Sequence, residues 1–336
     1  MRKRTFHLLW VFIFIIFVEI AQAVTMEYVP VGNPGNRGEL SGGAPAQPEW
    51  ICGGVDYNYQ IGKYEVTTGQ YVEFLNAVAQ TDTYELYNPE MWTNDFGCKI
   101  QRSGDPGSYT YQVAPDRENR PVNYISFWDA CRFANWMNNG QASGEQTPST
   151  TEDGAYELYG YTGIDGRWIE RQPDARVFLP SEDEWYKAAY HKNDGVTSNF
   201  WDYPTQSNTV PSNELINPDP GNNANRYDDG YTIGAPYYLT EVGEFENSDS
   251  PYGTFDMLGN VWEWNDTIID TTTYYRGQRG GAFDSIGDKV GFAMYRSYTH
   301  PDSGRYMMGF RIATVPEPAT CSLLALGGLL LRKRRR

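Results

Sequence analysis

The aromatic load restricts this chain more than any other feature: 26 Tyr, 15 Phe and 10 Trp are mixed with 34 Gly and 20 Pro in 336 residues. None of the tyrosines falls in residues 1–23 or 315–336. Between those ends only three stretches carry helical periodicity. A core built on so little regular structure must take its buried area from rings held by ordered loops. Neither an internal repeat nor a linker interrupts the roughly 290 residues between the ends, enough for one large domain.

The first helix is expected after the alternating strand-like run at 59–66. Thr67 or Thr68 caps it, and Tyr71, Phe74, Leu75 and Val78 form its apolar face. The second starts after Ser126, with Asp129 completing a capping box and Asn139-Gly140 as its stop. The third opens at the box Ser181 to Glu184, after a short strand at 176–180, and runs to about His191. The order is strand, helix, helix, short strand, helix, then loops.

The ends read differently. Residues 1–23 combine Met1-Arg2-Lys3-Arg4, an apolar run from Leu8 to Val18 and a small-residue site at Ala21 to Ala23, the pattern of a secretory signal peptide. The other end holds Val315-Pro316-Glu317-Pro318, an apolar stretch to Leu331 and five terminal cations, Arg332 to Arg336. Such cations resist translocation and stay on the cytoplasmic side. The ends hold eight of 27 Lys and Arg but two of 43 Asp and Glu, leaving 19 positive and 41 negative residues between them. That net of −22 repels nucleic acid and anionic lipid, so nucleic acid is excluded as a partner and membrane contact is limited to the C-terminal segment. Cys52 and Cys98 are able to pair in an oxidising compartment, and Cys131 reads as a buried helical thiol. No zinc spacing is present.

Five motifs stand in one order: GKYEVT at 62–67, PVNYISFWDA at 121–130, FLPSEDEW at 178–185, YGTFDMLGNVWEW at 252–264, and RGGA at 279–282 with GFR at 309–311. Together they resemble the formylglycine-generating enzymes, also called sulfatase-modifying factors. The resemblance implies an α+β fold related to C-type lectins, loop-rich with small twisted sheets and a few helices. The implied organisation is a signal peptide at 1–23, an exported leader at 24–48, the sulfatase-modifying-factor domain at 49–314 and a sorting or anchor segment at 315–336. The tail itself resembles a PEP-CTERM signal. This implies exosortase and the secretion machinery as partners, and export across the inner membrane of a Gram-negative bacterium to the cell envelope or extracellular matrix.

The resemblance also carries metal expectations. Calcium is implied at Asp256, Gly259, Val261 and Glu263, two carboxylates and two main-chain carbonyls from one turn, and again at Asn225, Arg226, Asp229 and Tyr231. Catalytic members hold copper with two cysteines five residues apart. Here the segment from Gly281 to Arg311 has no cysteine, and counting back from Arg296-Ser297 puts Asp288 and Ala293 at those positions. No catalytic residue is assigned, and copper is not expected. Trp262, Ser285 and His300 are candidates for a surviving cleft. An iron-dependent branch uses three histidines from an added domain, whereas this body has only His191 and His300, and His191 reads as a dipole partner at a helix C-terminus.

The leading expectation is an exported, envelope-associated domain lacking the copper pair, a non-catalytic binding or structural module for a glycan or peptide ligand. The alternative is an oxygen-dependent cysteine oxidase that converts a sulfatase cysteine to formylglycine.

Overall fold

The computed structural model describes residues 23–42, 49–270, 272, 274–287 and 291–316. The signal-peptide and sorting-tail expectations therefore lie almost wholly outside the described residues, as does Asp288. Among the described residues no helix is long and apolar enough to cross a membrane.

Two four-stranded sheets frame an α+β domain. The first contains β1 (Tyr28–Val31), β4 (Tyr59–Gly62), β12 (Ala313–Thr314) and β7 (Val177–Phe178) in that order, every pairing antiparallel. The second runs β10 (Ser297–Thr299), β9 (Tyr275–Arg279), β8 (Trp262–Asp270) and β11 (Met308–Gly309), with β11 parallel to β8. Two hairpin-like pairs complete the strands: β2 (Glu39–Ser41) with β3 (Trp50–Cys52), and β5 (Ile100–Ser103) with β6 (Thr110–Val113). Because β1 pairs along its whole length with β4, the segment at 24–42 packs as part of the domain rather than as a separate leader.

The three expected helices form with their expected caps. Helix α1 (Thr68–Val78) is capped by Thr67, whose hydroxyl accepts from Gln70 N while the Gln70 side chain accepts from Thr67 N. Tyr71, Phe74, Leu75 and Val78 are all buried. The structure adds a four-residue helix, α2 (Glu90–Thr93), too short to leave a periodic signal. Helix α3 (Phe127–Asn138) opens at Ser126 with the Asp129 box and ends at Asn139; Cys131 is buried within it. Helix α4 (Glu182–Tyr190) opens at Ser181 with Glu184. The chain beyond α4 is not loop alone, as the sequence suggests, since the second sheet lies there. Its strands are short or interrupted by register shifts, which removes the period-2 signal a sequence can show.

Rings fill the core as the composition requires. Phe133 lies 5.3 Å from both Phe74 and Phe310 and 5.7 Å from Trp136, joining α1, α3 and the chain between β11 and β12. Buried arginines do the remaining clamping: Glu182 at the start of α4 accepts from Arg279 Nε at 2.8 Å and Arg296 Nε at 2.7 Å, which fastens β9 and the chain entering β10 onto that helix.

Two sequence expectations change. Cys52, Cys98 and Cys131 are buried free thiols, so Cys52 and Cys98 do not pair. Cys52 instead lies 3.1 Å from Arg296 Nη2, whereas Cys98 takes part in the α2 region, its N–H donating to Asn123. His191 is buried rather than a charged dipole partner. Burial and the nearby Lys187 lower its pKa, and its Nδ1 pairs with the Tyr252 hydroxyl at 2.8 Å, as suits a neutral ring.

Candidate functional site

The turn from Asp256 to Glu263 is where three distant motifs meet. Asp256, Gly259 and Asn260 all have positive φ, at 58°, 95° and 50°, which folds the chain sharply before β8. Gly259 is required for contact as well as conformation, because a Cβ there would sit 2.1 Å from the Asn225 carbonyl oxygen. Asn260 N donates to that same carbonyl at 3.0 Å, and Asn225 Nδ2 donates to Asn260 Oδ1 at 2.8 Å. The two loops implied as calcium sites are therefore packed directly against each other.

Glu263, at the start of β8, is fully buried and grips Arg311 with both oxygens at 2.6 Å; Trp185 Nε1 adds a third bond at 2.7 Å. Arg311 also donates to the carbonyls of Gly62 and Phe255, both at 3.0 Å. Glu65, from the GKYEVT motif, is buried beside this pair and accepts from Val261 N and Asn260 Nδ2 at 3.3 Å each. Burial, then Asp256 and Glu263, push the Glu65 carboxyl well above its ordinary range. Burial likewise raises Asp256 to about 6, although Gly243 N donates to it at 2.6 Å.

Three carboxylates thus share one guanidinium. Carboxyl groups that burial pushes toward the neutral form, with two main-chain carbonyls in the same turn, are the hard oxygen donors that a dication such as calcium would take. Among the described residues no group of three or more His, Cys, Asp and Glu is arranged to hold a metal by those side chains alone, so a cation at this turn would depend on the carbonyls of Gly259 and Val261. At the second loop Asn225 Oδ1 is a buried acceptor without a partner, as a cation ligand would be. The other implied ligands fit less well. The Arg226 carbonyl, one of the two main-chain oxygens implied, already accepts from Asn213 Nδ2 and Thr232 Oγ1, and Asp229 is exposed in a turn at φ 54°.

The positions implied for copper carry no soft donor. Ala293 is buried, with its N–H bonded to Asp202 O and its carbonyl accepting from Ser41 and Arg279. Cys52 lies near Ala293, its Sγ 3.8 Å from Arg279 Nη2 while Arg279 Nη1 donates to the Ala293 carbonyl, but it is a single thiol that burial raises to about 12; burial likewise raises Cys98 to about 11 and Cys131 well above the usual thiol range. The residues do not fit a Cu(I) thiolate centre.

The three cleft candidates stand in different elements. Trp262 lies on β8, its ring 6.0 Å from Tyr295. Ser285 is half-buried in the turn after β9, its hydroxyl accepting from Ala282 N. Glu263 pairs with Arg279 and Thr299 pairs with Arg276, so Trp262 and His300 flank opposite ends of β9, offset by about 17 Å along the strand at roughly 3.3 Å per residue. His300 meets the Tyr275 ring edge-on at 4.5 Å. Beside Ser285 stands an aromatic cluster that sequence reasoning misses: Phe96 lies 4.7 Å from Tyr238 and 5.0 Å from Tyr306, and Tyr306 donates to Asp284 at 2.7 Å. Glu65 is a second site residue that sequence reasoning misses, although it stands inside the GKYEVT motif. Its strand-like context carries no sign of the charges it meets.

Fold and site together define a loop-rich α+β domain with a buried carboxylate turn and no thiol where copper chemistry would need one. The sulfatase-modifying factor enzyme 1-like domain family matches residues 25–315, and the chain belongs to that family. The formylglycine-generating enzyme of Thermomonospora curvata is 24% identical over 301 residues, covering 77% of this chain and 82% of the relative. Similar solved structures include CarF, at 19% identity and TM-score 0.47, covering 87% of this chain and 99% of that one. PvdO from Pseudomonas aeruginosa aligns at 17% identity and TM-score 0.48, covering 86% and 94%. Treponema denticola variable protein 1 aligns at 15% identity and TM-score 0.47, covering 87% and 96%.

Proposed function

We propose that this member of the family is an exported, envelope-associated binding or structural module that has lost copper oxidase chemistry. The observation that carries this reading is the donor set: the segment from Gly281 to Arg311 contains no cysteine, and Ala293 is a buried backbone anchor. A methyl group cannot ligate Cu(I), and a lone carboxylate is a poor substitute for two thiolates.

Calcium is part of the same reading. Asp256 and Glu263 with the carbonyls of Gly259 and Val261 would hold one ion, and Asn225, Arg226, Asp229 and Tyr231 a second. Bound calcium would neutralise the carboxylates around Arg311 and fasten the two loops. The ligand class is a glycan or a peptide outside the cell. Export rests on the N-terminal signal pattern, and retention at the envelope rests on the PEP-CTERM-like tail, with exosortase as the processing partner.

The test is mass-spectrometric. The chain is incubated with Cu(I), oxygen and a peptide containing Cys-x-Pro-x-Arg, and the products are searched for loss of the thiol and gain of an aldehyde. No conversion is the expected result. Turnover would overturn the reading, because copper would then be held without the cysteine pair.

A further inference from the structure

A cavity of about 300 Å³ opens between the N-terminal end of α3, the loop before α2 and the loop before β11. Its lining includes Tyr84, Tyr124, Trp128, Asp129, Arg132 and Asp302. It is separate from the carboxylate turn and from Trp262, and none of the family motifs assigns it a role. Its size lies at the small end of the range for ligand sites.

Arg132 gives the cavity its chemistry. Its side chain is fully buried and held by Glu152, Nε to Oε1 at 2.7 Å and Nη2 to Oε2 at 2.9 Å, with Nη2 also donating to the Tyr161 carbonyl. The remaining nitrogen, Nη1, is buried without any hydrogen-bond partner, on the edge of the guanidinium turned away from Glu152. A buried donor left unmade costs the full desolvation of that group, so an orphan N–H in a lined cavity points to an acceptor supplied from outside. Tyr84 covers the same guanidinium face at 4.5 Å, which fixes its plane.

The surroundings select the acceptor. Glu152 already neutralises Arg132, and the rest of the lining adds Asp129, Glu85 and Asp302 with no further cation. An anion entering here would meet three carboxyl groups and one compensated arginine, whereas a hydroxyl both accepts from Nη1 and donates to a carboxylate. Asp129 is half-committed, its Oδ2 accepting from Ser126 N at 2.8 Å and Ser126 Oγ at 2.6 Å. The wall opposite is held by strain: Tyr124 has φ 61°, and Gly304 approaches so closely that a Cβ would stand 2.9 Å from the Tyr124 carbonyl oxygen.

From this geometry we infer that the cavity binds one neutral, hydroxyl-rich ring, a monosaccharide unit, with hydroxyls donating to Asp129 and Asp302, the ring lying against Tyr84, and a hydroxyl oxygen accepting from Arg132 Nη1 once the half-buried Tyr84 side chain shifts to uncover it. The inference rests on the binding-module reading and deepens it by naming a ligand class and a place for it. The two fail differently, since oxidase turnover would remove that reading without changing a sugar titration.

The test titrates the full chain with glucose, galactose, mannose and N-acetylglucosamine, and with glucuronate as the charged comparison, read by saturation-transfer NMR and calorimetry. At least one neutral sugar should bind with a dissociation constant on the order of 1 mM, with glucuronate at least tenfold weaker. Tyr84→Ala and Asp302→Asn should each weaken the neutral sugar by roughly fivefold or more while the melting temperature stays within error. Tyr84→Ala removes a ring that packs on Arg132, so its melting temperature is checked first, whereas Asp302→Asn leaves the Arg132–Glu152 pair and Tyr84 in place and tests the site independently. Silence from all four neutral sugars, preference for glucuronate, or affinity unchanged in both variants would each overturn the assignment.

Discussion

Replacing Asp129 with Asn should stabilise the protein at and above neutral pH and leave it unchanged in acid. Asp129 is only 8% exposed, and burial raises its carboxyl from 3.8 to about 7 despite two bonds from Ser126. An acid whose folded pKa lies above its unfolded value binds protons more tightly in the folded state. Stability from this group is therefore lost as pH rises from about 4 to about 7, and the loss is complete above that range. At 1.36 kcal/mol per unit, the roughly three-unit gap amounts to about 4 kcal/mol. Asparagine stays neutral throughout, and its side-chain oxygen accepts both Ser126 donors as the acid does. Thermal melts of the two proteins should coincide near pH 4 and separate by on the order of 10 °C at pH 8, the variant melting higher. A gap that does not change with pH, or a variant that melts lower at pH 8, would refute the reasoning, because it would show that the folded state uses the Asp129 charge.

Excess chelator should lower the melting temperature by several degrees, and Asp256→Ala should shrink that response; an unchanged melt would sink both calcium assignments. Gly259→Ala should cost at least about 2 kcal/mol in urea unfolding, since φ 95° and a 2.1 Å approach to Asn225 O leave no room for a methyl group. A loss under roughly 0.5 kcal/mol would mean that the turn relaxes freely. Finally, Cys52, Cys98 and Cys131 should resist maleimide in the native protein and react on unfolding, and non-reducing mass should show no loss of hydrogens from disulfide formation. Rapid native labelling of any of the three would contradict their burial.

Local signals are legible where their cause is local. The boxes at Thr67, Ser126 and Ser181 each use a hydroxyl and a side chain three residues later, so the sequence states them directly, and α1, α3 and α4 begin where those residues stand. The absence of thiols between Gly281 and Arg311 is likewise a plain property of the chain. Only tertiary structure decided what Glu65, Glu263 and Arg311 do together, because Glu65 lies 198 residues from Glu263 and 246 from Arg311 and the charges matter only once buried side by side. The same holds for Arg132. Its place in α3 is readable, but the orphaned Nη1 exists only because Glu152 and Tyr161 occupy the rest of the guanidinium. His300 and Trp262 both sit near the RGG and GFR motifs in sequence, yet strand register sends them to opposite ends of β9. Capping and composition act over a few residues and survive in the sequence; register, burial and charge balance are sums over the whole fold and appear only when it has formed.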